Sequence, residues 1–154
     1  FPTELENEIG ENLGRRGKEF GTVTARKRRC GWFDAVLVRH AVRLNGISSL
    51  ALTKLDVLDK FEEISIAVAY QLADGTTTKN FPTLQLDKVS PIYETLPGWK
   101  RSSRGIKQVD ELPEELITYI KLLEDLVSAP VSIISTGPRR EETILLPSAP
   151  LIST

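Results

Sequence analysis

An α/β fold, with a mixed α+β arrangement as the alternative, is what this sequence predicts. Three observations carry that reading. Residues Glu63–Leu72 alternate strictly, placing Ile64, Ile66, Val68, Tyr70 and Leu72 on one face, which is the period of a β-strand. Leu116, Ile120, Leu123 and Val127 recur as the inner stripe of a helix. A short apolar run, Leu50-Ala51-Leu52, ends in Thr53-Lys54-Leu55-Asp56, the pattern of a strand handing a lysine and a carboxylate to a loop. At 154 residues, 40% hydrophobic and 27% charged, the chain has one-domain length and enough apolar material for a core.

The elements follow in chain order. Residues 1–14 carry Glu4, Glu6, Glu8 and Glu11 and no basic residue, which suits a solvated helix. Gly10, Gly14, Gly17 and Gly21 interrupt any pattern, so residues 1–20 are expected to be a mobile acidic, glycine-rich segment. Asp34 is a candidate N-cap for a helix over Ala35–Leu44, with Val38, Ala41, Val42 and Leu44 inward and Arg39, His40 and Arg43 outward. Asn45-Gly46 stops it. Leu50–Thr53 reads as a short buried strand. The strand over Glu63–Leu72 has small second-face residues, Ala67 and Ala69, so both its faces are expected to be covered. Asp74-Gly75 marks a hairpin turn with Thr76–Lys79 returning, and Ile92–Leu96 is a further strand closed by Pro97-Gly98. Pro113 and two glutamates open a second main helix, which Pro130 ends. Val131–Ser135 is a strand, turned away by Thr136-Gly137-Pro138. Residues 147–154 form a proline-punctuated tail. The mixed sheet is expected to continue into chain beyond this one.

The chain starts at Phe1-Pro2 and contains no methionine, which suggests that it is cut from something larger. The single cysteine, Cys30, leaves no internal disulfide framework and favours a reducing compartment. No run approaches a membrane helix, and no membrane association is expected.

Ligands collect at the carboxyl ends of strands in open α/β sheets. There, Asp56 can accept from two neighbouring N–H donors such as those on the edge of guanine, and the stem of Lys54 can lie over a purine. A surface Lys-x-Asp pair without a ligand is the plainer alternative. The segment Gly21-Thr22-Val23-Thr24-Ala25-Arg26-Lys27-Arg28-Arg29 runs from small residues into a basic block. Hydroxyls and free N–H groups followed by guanidinium forks suit a carboxylate or phosphate. A solvated basic loop, or a non-enzymatic anion- or nucleic-acid-binding domain built on Arg26–Arg29, is the alternative. Net charge −1 and pI near 6.0 argue against nucleic acid. His40 is the only histidine and has no cysteine at ligand spacing, so no metal site is expected. Cys30 follows basic residues that could lower its pKa, yet reads best as packed. There is no Gly-x-x-x-x-Gly-Lys-Ser/Thr phosphate loop.

Six segments together resemble the C-terminal part of the adenylosuccinate synthetase family. They are Phe1-Pro2-Thr3-Glu4-Leu5, Thr22–Arg29, Cys30-Gly31-Trp32-Phe33-Asp34, Leu52–Leu58, Pro91–Trp99 and Ile134–Pro138, in the family's order. The resemblance implies a ligase that joins IMP to L-aspartate with GTP and Mg²⁺ in AMP biosynthesis, working as a cytoplasmic homodimer. IMP is first phosphorylated on its 6-oxygen, and the aspartate amine then displaces phosphate. The resemblance makes 1–154 a single C-terminal domain and 21–29 its substrate loop. It assigns Thr22, Val23, Thr24, Ala25, Arg26, Lys27 and Arg28 to aspartate, with Arg26 at the IMP–aspartate junction and Arg28 also near the GTP phosphates. It assigns Lys54, Leu55 and Asp56 to guanine, with Ser135, Thr136 and Gly137 as the pocket's second wall. Catalytic groups and Mg²⁺ ligands are expected outside this chain. One departure stands out: the family loop reads Thr-Gly-Arg where this chain has Thr24-Ala25-Arg26.

Overall fold

A computed structural model describes residues 1–146; the tail over 147–154 lies outside the described residues. Its elements are α1 (Glu8–Arg16), β1 (Phe33–Asp34), α2 (Ala35–Asn45), β2 (Leu50–Leu52), β3 (Glu63–Gln71), β4 (Thr77–Thr78), β5 (Ser90–Pro97), α3 (Glu114–Val127), β6 (Val131–Ser135) and β7 (Thr143–Leu145).

The strands form two sheets of mixed direction. In the first, β3 is central. Ile66 pairs with Phe33 of β1 in parallel and with Glu94 of β5 antiparallel, so β1 and β5 flank it on opposite edges. The Asp74-Gly75 turn returns β4 antiparallel to β3, pairing Tyr70 with Thr78. Ala67 and Ala69 are buried along with Ile64, Ile66 and Tyr70, so both faces of β3 are covered, as its sequence requires. In the second sheet β2 runs parallel to β6, and β7 pairs antiparallel to β6. Helices α2 and α3 pack on each other, and α2 also covers β3. Leu116, Leu123, Val127, Ile64, Ile66 and Ile134 meet in the core with almost no exposure. Burying side chains of this size contributes about 1.5–3 kcal/mol each.

Both main helices start where the sequence places them, and α2 is capped at both ends. The Asp34 carboxylate accepts from the N–H of Leu37 at 3.0 Å, and Gly46 closes α2 in the left-handed region at φ 61°. Helix α3 opens on Pro113 with Glu114 and Glu115 in its first turn, where the helix dipole favours them. Two expectations fail here. Leu44 is 73% exposed, because it lies two residues beyond buried Val42 and so about 200° around the helix. The strand at Leu50 is shorter and less buried than expected. It ends at Leu52, Ala51 is exposed, and among the described residues β2 pairs with β6 alone.

The largest difference lies at the start. Glu8–Arg16 is an α-helix, not a stretch broken by glycine. The Asn7 side chain caps it, accepting from the N–H groups of Ile9 and Gly10 at 3.1 and 3.2 Å. Gly10 serves close packing: a Cβ there would lie 1.9 Å from the carbonyl oxygen of Leu5. Leu13 is buried, as is Thr3 before the helix.

After β5 the chain folds back over the end of the Leu55–Leu58 3₁₀ turn. Buried Asp59 organises that return. Its carboxylate accepts from the Trp99 indole at 2.8 Å, from the hydroxyls of Ser102 at 3.1 Å and Ser103 at 2.6 Å, and from the Ser103 N–H at 3.0 Å. A buried charge held by four donors is fully compensated. Among the described residues, no helix is long and apolar enough to cross a membrane.

Candidate functional site

Parallel pairing builds the first half of the site. Leu52 of β2 stands opposite Ile134 of β6, so Thr53-Lys54 and Ser135-Thr136 leave neighbouring strands at the same end. That is the ligand-collecting end of a parallel pair. Lys54 takes the left-handed conformation, φ 61°, which turns the chain at once into the 3₁₀ turn. The N–H of Val57 donates to the Lys54 carbonyl at 3.1 Å. Leu55 is buried and anchors the turn, leaving Asp56 half-buried beside it. Burial pushes the Asp56 carboxyl above its ordinary pKa, Asp59 adds to the shift, and Arg104 opposes it.

The second wall uses its side chains differently from the first. The Ser135 hydroxyl donates to the Gly137 carbonyl at 2.8 Å. The buried Thr136 hydroxyl donates to the Ile106 carbonyl at 2.8 Å, tying this wall to the segment that Asp59 holds. Gly137 leaves room for the Glu142 carboxylate: a Cβ there would sit 2.4 Å from its Oε2 and push that side chain aside. Thr136 and Gly137 therefore shape the wall, while Asp56 and Lys54 carry its charge.

The second half is the loop Thr22–Arg28. An antiparallel bridge between Phe20 and Lys27 closes it. Inside, the N–H of Gly21 donates to Arg26 O at 2.8 Å and that of Ala25 to Gly21 O at 2.9 Å. Thr22, Val23, Thr24, Ala25, Arg26, Lys27 and Arg28 are all exposed. Ala25 sits at φ 53°, in the region that favours glycine. The four basic residues divide. Arg29 forks onto Glu4, donating from Nε at 2.7 Å and from Nη2, and lies over the Phe1 ring at 5.3 Å from its centroid. Arg28 pairs with Glu19 at 3.1 Å. Arg26 and Lys27 have no side-chain partner among the described residues. A uniform basic surface for nucleic acid is therefore not what the block makes.

Glu19 joins the halves. Its other oxygen accepts from Lys54 Nζ, which also donates to the Gly17 carbonyl at 2.9 Å at the end of α1. Lys54 and Arg28 together hold the Glu19 carboxyl below its usual range, with Lys54 the larger cause. Both segments line one cleft of about 410 Å³, with Glu19, Arg28, Lys54, Trp32 and Val57 on its walls. Sequence reasoning left Glu19 in a mobile segment. Its signal was there as the lone acid among the basic residues of 15–29.

The remaining candidates are structural. Burial raises the Cys30 thiol pKa, and Glu19 adds to the shift, so the basic neighbours do not activate it. His40 stacks on Phe81 with ring centroids 4.8 Å apart. Among the described residues no three His, Cys, Asp or Glu side chains cluster as a cation site.

The family model described as adenylosuccinate synthetase matches residues 1–144. The chain belongs to the adenylosuccinate synthetase family. It is 52% identical over 148 residues to an adenylosuccinate synthetase from Thermosynechococcus vestitus, a match covering 95% of this chain and 33% of that protein. It is also similar to a solved structure, the fully ligated adenylosuccinate synthetase from Plasmodium falciparum, with TM-score 0.89 and 36% identity over 95% of this chain and 36% of that one. The chain thus spans about a third of the length of these synthetases.

Proposed function

We propose that this chain is the C-terminal portion of an adenylosuccinate synthetase, which joins IMP and L-aspartate at the expense of GTP. In this reading Thr22–Arg28 receives aspartate. Arg26, whose side chain has no partner among the described residues, reaches the IMP–aspartate junction, and Arg28 serves aspartate and the GTP phosphates. Guanidinium forks suit both anions. Asp56 accepts from the ring N–H and exocyclic amine of guanine, and Lys54 and Leu55 complete that wall opposite Ser135, Thr136 and Gly137. The observation that supports the reading is the register of β2 on β6, which brings Lys54–Asp56 and Ser135–Gly137 out side by side at one sheet end.

The family's Mg²⁺ would serve the phosphoryl transfer. The described residues do not fit it as ligands, so it would be held elsewhere in a full-length enzyme. This segment's own contribution is positioning and electrostatics, which dominate phosphoryl transfer. The complete enzyme would be a homodimer in the cytoplasm.

Asp56→Ala tests the guanine assignment. Adenine offers no matching donor pair, and a donor left unpaired costs about 1–3 kcal/mol. In full-length enzyme the variant should raise the KM for GTP about 5- to 150-fold, by the same principle, and leave that for IMP within about twofold. An unchanged GTP KM removes the assignment.

A further inference from the structure

One carboxylate serves two cations that belong to different ligand segments. Glu19 accepts from Arg28 of the Thr22–Arg28 loop at 3.1 Å and from Lys54 at the head of the guanine turn. The acid is the inner member: its side chain is 21% exposed, against 59% for Arg28 and 49% for Lys54. Its backbone is fixed on both sides, since the Glu19 N–H donates to Gly14 O at 2.8 Å and its carbonyl accepts from the Arg28 N–H at 2.9 Å. Glu19 is therefore the anchored member of the trio, and the two cationic side chains are the more exposed ones.

We propose that Glu19 is a shared counter-ion that couples occupancy of the Thr22–Arg28 loop to the conformation of the Lys54–Asp56 turn. It is a positioning residue for both ligands, and this assignment rests on the substrate reading above. An anionic ligand arriving at Arg28 competes with Glu19 for that guanidinium. The charge Glu19 then withdraws from Arg28 falls on Lys54. Lys54 is held between Glu19 and the Gly17 carbonyl, and its left-handed backbone starts the turn that presents Asp56. A firmer Lys54 gives a better-ordered guanine wall, so aspartate and guanine nucleotide each favour the other's binding. Linkage makes the effect equal in both directions.

The test uses full-length synthetase carrying this segment, with saturating IMP. The dissociation constant of GDP is measured by calorimetry with and without saturating L-aspartate, and their ratio is the coupling factor. Wild type should show a factor of about 5 or more in favour of joint binding, the lower end of measured couplings. Glu19→Gln, which removes the charge and keeps the shape, should bring it within about twofold of unity. Glu19→Asp keeps the charge on a shorter arm and should give an intermediate factor. An unchanged factor in Glu19→Gln overturns the proposal. So does an equal loss in both variants accompanied by a fall in Tm, which would mark a structural lesion. Wild-type protein supplies a check that needs no variant to fold. Exposed pairs are screened as salt rises from about 0.05 to 0.5 M, so the factor should shrink. A factor independent of salt overturns the proposal. If wild type binds both ligands with a factor of one, the substrate reading stands and the Glu19 coupling falls. If it binds neither, both fall.

Discussion

Ala25 holds a backbone conformation that L side chains adopt at a cost of about 1–2 kcal/mol. The loop's own hydrogen bonds, from Ala25 to Gly21 O and from Gly21 to Arg26 O, keep it there. Ala25→Gly should relieve that strain and populate the binding shape more fully. The KM for aspartate in full-length enzyme should fall by up to about tenfold, the equivalent of that strain, and a rise would show that the left-handed turn is not the binding form. Asp56 shows the opposite bargain between stability and function. Its raised pKa means that the folded chain binds the proton more tightly than the unfolded one. Stability therefore falls as pH climbs from the ordinary value of 3.8 through the raised one, and the deficit persists at neutral pH. Asp56→Asn should raise Tm at pH 7 and lose that advantage as pH drops below about 4, where wild type is itself neutral. A Tm gap that does not depend on pH would assign the change to packing instead. The same variant should impair GTP use, because the Asn amide offers a donor where guanine needs an acceptor.

At the scale of elements, local signals were sufficient for α2, α3 and β3. Each carries its own instructions: Asp34 and Gly46 at the ends of α2, Pro113 and the Leu116–Val127 stripe for α3, and strict alternation for β3. Helix α1 was only half legible: its acidic run suited a solvated helix, but the meaning of its glycines lies in a neighbour. Gly10 is small to admit the Leu5 carbonyl, and nothing in the helix's own periodicity says so. Gly10→Ala must therefore move backbone, costing about 1–3 kcal/mol as overpacking does. Denaturant unfolding should show that loss, whereas an unchanged midpoint would mean that Leu5 yields freely. The site was half legible for the same reason. Thr22–Arg28 and Lys54–Asp56 were visible as short strings, but the Glu19 link exists only once α1 sets Gly17 and Glu19 against Lys54. The division of labour on the far wall was equally hidden, since Thr136 turns its hydroxyl to Ile106 only in the folded chain.

At the scale of the whole molecule, the proposed reading gives this chain the aspartate and guanine segments and leaves phosphate handling to the rest of a full-length synthetase, since the chain spans about a third of the length of its relatives. Purified 1–154 should make no adenylosuccinate from IMP, GTP and aspartate. Turnover of about 1 per second or more would overturn that expectation. The edge of β2 pairs only with β6 among the described residues, and open edges invite association. The isolated chain should accordingly lose monodispersity in light scattering as its concentration rises.

Trp99 gives this molecule an optical readout of its own. Its indole is buried and tethered to Asp59, which directly follows the turn that presents Asp56. Its emission should lie well to the blue of free tryptophan and respond to any shift of that turn. Trp32, the other tryptophan, lies edge-on to Phe61 on the wall of the cleft shared by Arg28 and Lys54. Each indole thus reports on a different part of the site, and replacing one with phenylalanine would let the other's colour and quenching be followed during a titration with no attached dye.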